Sequence, residues 1–308
     1  MSVLFTFPGQ GAQKPGMLHA LPDHPETART LREATAALGR DVLALDDAAA
    51  LRSTVAVQLC LLVAGVATAR VLTTLGAAPG MVAGLSIGAW PAAVVAGVLD
   101  VADAVRLVEL RARLMEEAYP SGYGMTAIRG LTRQQLEPLL AQVHRPDNPV
   151  YLANLNAPRQ LVVSGHAAAL DAIAALALAH GAHAAERLAV PVPSHCPLLD
   201  DQARTLACAM EQVPRHRPRI TWISSSAARA LFDGARIGAD LAANMARPVL
   251  WADTLRHAWE RGARAALEMP SGSVLTRLAQ EGDFAAGTAL CVDGNRLDTL
   301  AAAVRASE

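Results

Sequence analysis

The residues best able to do chemistry lie in Val82-Ala83-Gly84-Leu85-Ser86-Ile87-Gly88-Ala89-Trp90, where one serine stands between two glycines at G-x-S-x-G spacing. Glycines two before and two after let a chain turn sharply from strand to helix with the serine at the strained apex, hydroxyl outward. The same pentapeptide also occurs as a plain tight turn in alanine- and glycine-rich chains, so its surroundings decide. A serine hydroxyl is a weak nucleophile at neutral pH and needs a base within reach, most often histidine. Of nine histidines, His19, His24, His144, His166, His180, His183, His216 and His257 sit in polar, loop-like or helix-surface settings. His195 differs. It lies in Val190-Pro191-Val192-Pro193-Ser194-His195-Cys196-Pro197, where three prolines forbid helix and hold a stiff, extended segment. It is the candidate base, against the plainer reading of a histidine in a rigid loop.

Arg111 is the third such residue. Among the arginines after Asp100, Arg113 has Glu109, Glu116 and Glu117 around it, and Arg106 has Asp103 and Glu109, which suits solvated faces. Arg111 has Leu107, Val108, Leu114 and Met115 at every i±3 and i±4 position. A guanidinium on an apolar face needs an anion, because burying a charge unpaired costs several kcal/mol, about 3–5 by the measured cost of breaking buried pairs. No acid of its own helix can meet it, so the expectation is a carboxylate from elsewhere in the chain, as a structural ion pair, or one from a ligand.

The elements that must position these groups follow from the patterning. Val3–Phe7 and Met81–Gly84 read as short buried strands, separated by a long helical stretch over 54–75, and the segment 89–98 is helix-compatible despite Pro91 and Gly97. A helix runs from Asp100 as N-cap to the stop at Tyr119-Pro120-Ser121-Gly122 and carries Arg111. Residues 125–188 then read strand, helix, two strands, helix, extended segment, the order of a ferredoxin-like unit. Beyond it come a helix over 198–213, a strand over 220–224, a helix over 250–261 and a strand over 265–269. The expected fold class is α/β: a hydrolase-like domain with a parallel sheet over 1–123 and 188–308, carrying a small ferredoxin-like α+β subdomain over 124–187.

Composition narrows the function classes. With 308 residues, 52% of them hydrophobic, the chain can bury a large core. Lys+Arg 27 against Asp+Glu 28, spread evenly, leaves no basic stripe, so no nucleic-acid partner is expected. The apolar stretches over 55–69 and 89–99 are broken by Gln58, Gly65, Pro91 and Gly97, and no signal segment is read at the start, so neither a membrane span nor export is expected. Cys60, Cys196, Cys208 and Cys291 show neither CxxC nor Cys/His spacing, which suits a reducing cytoplasm and supports no metal site.

Several pieces together resemble the malonyl-CoA:acyl carrier protein transacylase family. They are Phe7-Pro8-Gly9-Gln10-Gly11-Ala12-Gln13, the serine elbow, Arg111 within Leu107–Met115, Asn156-Ala157-Pro158 with Val162-Val163-Ser164-Gly165, and Val192-Pro193-Ser194-His195-Cys196. The likeness runs from Val3 to about Leu278 in the family's order. It implies that Ser86 takes the acyl group, that His195 serves as base and later acid, and that Arg111 holds the free carboxylate of a malonyl group. It further implies an oxyanion hole from the backbone N–H groups of Gln10 and Ile87, and a backbone carbonyl at Asn244 that orients the histidine, so a Ser-His dyad without aspartate. No permanently bound cofactor is implied. Malonyl-CoA is the implied donor, a phosphopantetheine-type thiol on an acyl carrier protein the acceptor, and the reaction a ping-pong transfer.

The departures from the family pattern are Leu85 for a histidine, Ala89-Trp90 for an acidic residue, Asn244 for glutamine, and Met269-Pro270-Ser271-Gly272 at a late glycine-proline-glycine turn. The GLSIGAW variant is similar to the branch that forms the epsilon subunit of malonate decarboxylase, whose partners are a small carrier and the other subunits of that enzyme. The alternatives are the transacylase of fatty-acid or polyketide synthesis, a serine thioesterase or hydrolase, and a non-catalytic carrier-docking subunit. No lipase-type HGGG loop is present to favour the hydrolase.

Overall fold

The computed structural model describes residues 2–306. In chain order come β1 (Ser2–Phe7), α1 (Pro25–Leu38), α2 (Thr54–Thr74), β2 (Met81–Gly84), α3 (Ala89–Val95) and α4 (Val101–Ala118). A second group follows: β3 (Tyr123–Arg129), α5 (Arg133–Val143), β4 (Val150–Ala157), β5 (Gln160–His166), α6 (Ala167–Ala179) and β6 (Ala184–Arg187). The remainder is α7 (Asp200–Met210), β7 (Thr221–Ser224), β8 (Arg229–Leu231), α8 (Gly234–Ala243), α9 (Trp251–Glu260), β9 (Ala263–Glu268), α10 (Val274–Glu281), β10 (Thr288–Cys291) and α11 (Leu297–Ala306).

The larger sheet has the order β10-β9-β1-β2-β7-β8 and is parallel except for the edge pair β7–β8. A parallel sheet is covered by helices on both faces, which is why Val3-Leu4-Phe5-Thr6-Phe7 is buried throughout rather than alternating. The smaller sheet, β4-β5-β3-β6, is antiparallel. In local order its strands lie fourth, first, third, second, which is the ferredoxin-like arrangement.

α2 is apolar all round because it is enclosed on all sides, packing on α1, α3 and α4. By length and composition it could cross a membrane, yet 89% of its apolar window is buried inside the protein. Leu59, Leu62 and Leu72 are fully buried on it, each worth about 2 kcal/mol of apolar burial. α4 lays its Val105, Val108, Ala112 and Met115 face against this helix, and Arg111 lies on that same buried face.

Some elements escaped the patterning, each for a physical reason. α1 fully buries only Thr27, Thr30 and Ala34 and leaves Leu31, Ala37 and Leu38 partly buried, so its core-facing stripe holds few large apolar residues. α8 contains Gly234 and Gly238, which weaken its helical signal, yet it runs unbroken; an added Cβ on Gly238 would lie 2.7 Å from Arg215 Cδ. The edge strands β8 and β10, and the terminal helices α10 and α11, are short. The helix after the elbow ends at Val95 rather than 98, because Gly97 takes a left-handed φ of 77°.

Candidate active site

The elbow is built from β2, Leu85 in extended backbone, a single 3-10 turn over Ser86–Gly88, and α3. Ser86 has φ 57°, the left-handed region that a non-glycine residue enters at a cost of about 1–3 kcal/mol. The two flanking glycines are needed for space. An added Cβ on Gly84 would lie 1.9 Å from the carbonyl carbon of Gly88, and one on Gly88 would lie 2.0 Å from the carbonyl oxygen of Phe7. The turn therefore fits only if both positions lack side chains, and it is pinned by Leu85 N–H donating to the Phe7 carbonyl at 3.0 Å.

His195 arrives from the proline-rich segment between β6 and α7, also in left-handed backbone at φ 64°. Its N–H donates to the Met245 carbonyl at 2.7 Å. Nδ1 lies 2.9 Å from the Asn244 carbonyl and 3.2 Å from that of Arg247. Carbonyl oxygens only accept, so Nδ1 carries the proton and Nε2 presents its lone pair. Nε2 lies 2.8 Å from Ser86 Oγ, which donates to it. This is the geometry that a serine nucleophile and its base require, with the imidazole oriented by two backbone carbonyls. Burial, reinforced by the nearby Arg111 charge, pushes the His195 pKa down to about 4, so the imidazole is neutral at physiological pH.

Arg111 is wholly buried. Its Nη1 donates to Gln58 Oε1 at 2.5 Å and its Nη2 to Ser86 Oγ at 3.4 Å, while its buried Nε has no partner. Among the described residues no Asp or Glu forms an ion pair with it. Of the two expectations for this arginine, the structural ion pair is thus not made. Burial pushes its pKa down to about 9, which still leaves it charged at neutral pH.

Ser86, His195 and Gln58 border one cavity of about 260 Å³, and Arg111 lies behind its wall, bonded to Gln58 and Ser86. Gln10 and Ile87 border it on the large-domain side, while Met125 and Val162 of the small sheet close it opposite. The Asn244 main chain holds His195 as the resemblance implies, but its own side chain is buried with both polar atoms unpartnered. The second acceptor, the Arg247 carbonyl, was not anticipated. Neither was Gln58, whose signal was available: it is the polar residue within the apolar run Val55–Ala67 of α2. Asn154, 5% exposed, also borders the cavity with a buried Oδ1 that has no partner, and its Nδ2 donates to Asn156 Oδ1 at 3.4 Å.

Comparison with known proteins accords with this geometry. The acyl transferase domain family matches residues 4–289. The malonyl CoA-acyl carrier protein transacylase of Escherichia coli (strain K12) is 38% identical over 287 residues, covering 90% of this chain and 91% of that protein. The structure of FabD from Acinetobacter baumannii superposes with a TM-score of 0.94 at 34% identity, covering 100% of this chain and 99% of the other. A malonyl-transacylase solved in complex with a type II PKS acyl-carrier protein superposes at 0.91 with 34% identity, covering 98% and 99% of the two chains. A hydrogen-bonded serine–histidine pair beside an arginine with no carboxylate partner among the described residues, set in a fold shared over nearly its whole length with these enzymes, makes the chain an acyltransferase, and it belongs to the malonyl-CoA:acyl carrier protein transacylase family.

Proposed function

We propose that the protein moves a malonyl group from malonyl-CoA, through an ester on Ser86, to the phosphopantetheine-type thiol of an acyl carrier protein. The observation that carries this reading is Arg111: a fully buried guanidinium with no carboxylate partner among the described residues, its Nη2 3.4 Å from the nucleophilic oxygen. A free carboxylate on the acyl group supplies the missing counter-ion and so fixes the thioester carbon beside Ser86.

In the first half-reaction Ser86 Oγ attacks the thioester carbon as His195 Nε2 takes its proton. The backbone N–H groups of Gln10 and Ile87 receive the developing oxyanion. The carbon–sulfur bond breaks, and His195 returns the proton to the departing CoA sulfur. In the second half-reaction a carrier thiol gives its proton to His195, attacks the ester and releases Ser86. The cycle is ping-pong and needs no bound cofactor.

For the pathway, the curated relatives support a fatty-acid or polyketide carrier as the acceptor in preference to the malonate decarboxylase carrier. The epsilon-subunit reading is supported only by Leu85 and the Ala89-Trp90 pair, both of which lie at the elbow rather than on an acceptor surface. Malonyl transfer to a fatty-acid carrier and to a malonate decarboxylase carrier, measured side by side, separates the two.

The deciding experiment replaces Arg111 with alanine. Malonyl loading, followed by intact mass, falls about 10- to 100-fold, the value of a charge-assisted bidentate contact, while acetyl loading from acetyl-CoA is held or improved. Equal loss of both overturns the assignment. Ser86→Ala abolishes the adduct in the same assay, and an adduct that survives it places the nucleophile elsewhere.

A further inference from the structure

Leu85 adjoins the nucleophile in the chain, and its role does not follow from the transfer chemistry itself. Its backbone is held at both ends: its N–H donates to the Phe7 carbonyl and its carbonyl accepts from Gly88 N–H, each at 3.0 Å. Its side chain borders the same cavity as Ser86 and His195. It reaches the loop that carries Gln10, since an added Cβ on Gly9 would lie 2.7 Å from Leu85 Cδ2. On its other side it packs with Ala157 against the cluster holding Val249, Trp251 and Leu275. Val274 and Leu275 border the cavity as well, and Val274 is 40% exposed, an apolar side chain held at the surface. Besides Ser86 and His195, the polar residues bordering the cavity are Gln10, Gln58, Asn154, Asn156 and Ser194, none of them in the Leu85 and Val274-Leu275 segments.

An acyl-serine that waits for a carrier thiol faces a competing reaction. Water can give its proton to His195, attack the ester carbon, break the bond to Ser86 Oγ and leave as malonate, with the proton passing to Oγ. Thiol and water use the same base, so His195 does not discriminate between them. What differs is whether the wall beside the ester can hold a water in place by hydrogen bonding. A leucine cannot, whereas a thiol on a long arm is positioned from its distant end. We propose that Leu85, with Val274 and Leu275, is a specificity-determining wall that keeps water from the acyl-serine, so that the ester is resolved by thiol rather than by hydrolysis. This rests on the acyl transfer proposed above.

The test uses the full chain with malonyl-CoA as donor and pantetheine as acceptor thiol, and reads the ratio of free malonate to malonyl-pantetheine. Leu85→Asn, close in size but able to anchor a water, raises that ratio about fivefold, the factor that one net hydrogen bond of about 1 kcal/mol confers. Val274→Ser shifts it in the same direction from an exposed position with little burden on folding. Leu85→Met, which restores an apolar wall, brings the ratio back toward that of the parent protein whatever it does to the overall rate. A ratio unchanged in both polar variants overturns the inference, and if Leu85→Asn does not fold, Val274→Ser decides alone. Failure of the unaltered protein to form a malonyl-Ser86 ester would instead overturn the proposed function, so the two failures are distinguishable.

Discussion

Ser86 and His195 form a pair whose readiness depends on an unfavourable setting for the imidazolium. Burial and the Arg111 charge both lower the His195 pKa, to about 4, against the help of two backbone carbonyls. The free enzyme therefore keeps its base neutral, and kcat/KM for malonyl-CoA loses activity only as the pH falls toward about 4, not near 6.5 as for an ordinary histidine. Removing the positive charge with Arg111→Gln moves that acid limb to higher pH, because one of the two forces lowering the pKa is gone. A pH–rate profile of the two proteins checks this, and an acid limb that stays in place in the variant argues against coupling between the two residues.

At the scale of elements, Ser86 is placed by a strand, a turn and a helix that approach too closely to admit side chains at Gly84 and Gly88. A Cβ on Gly88 would press on the carbonyl oxygen of Phe7 in the neighbouring β1, so the elbow is locked to the strand whose exit carries Gln10. Gly88→Ala forces the elbow and β1 apart, because the new Cβ would lie 2.0 Å from the Phe7 carbonyl oxygen. It lowers stability by about 1–3 kcal/mol, the usual cost of overpacking, and reduces acyl-enzyme formation more than stability alone accounts for. Denaturant unfolding together with the rate of malonyl-enzyme formation checks both parts. On the other side of the site, the Tyr119 hydroxyl at the end of α4 donates to the Leu198 carbonyl at 3.1 Å, tying the arginine-bearing helix to the segment just beyond His195.

At the scale of the whole molecule, the base belongs to neither sheet but to the seam between them. Val249 N–H donates to the Ala153 carbonyl and the Val249 carbonyl accepts from Leu155 N–H, both at 2.8 Å, so β4 of the small sheet is bonded to the segment whose carbonyls hold His195. Folding thus builds an interior in which a histidine must stay uncharged. Because its pKa is lower in the folded state, the unfolded chain binds the proton first as pH falls from 6.5 to about 4, and stability declines across that window by roughly 3 kcal/mol. Burial shifts the Asp240 and Glu268 carboxyls upward, and these act in the opposite sense. The clean readout is therefore the difference between the protein and His195→Gln: the variant lacks this decline, and equal acid sensitivity of the two overturns the argument.

Much of the site was legible in the residues themselves. The glycine spacing around Ser86, the prolines around His195 and the apolar neighbours of Arg111 are local patterns, and local patterns decide what a turn, a stiff segment or a helix face can be. The order of strands and helices over 123–187 was legible for the same reason, since hydrophobic period is a property of short windows. The tertiary structure alone decided which groups meet. Ser86 and His195 are 109 residues apart in sequence yet share a hydrogen bond, and the Arg111 guanidinium finds Gln58 from a helix 53 residues earlier but no carboxylate. Whether a buried charge is answered from within the chain or left for a ligand depends on every element packed around it, and that is a property no window of sequence contains.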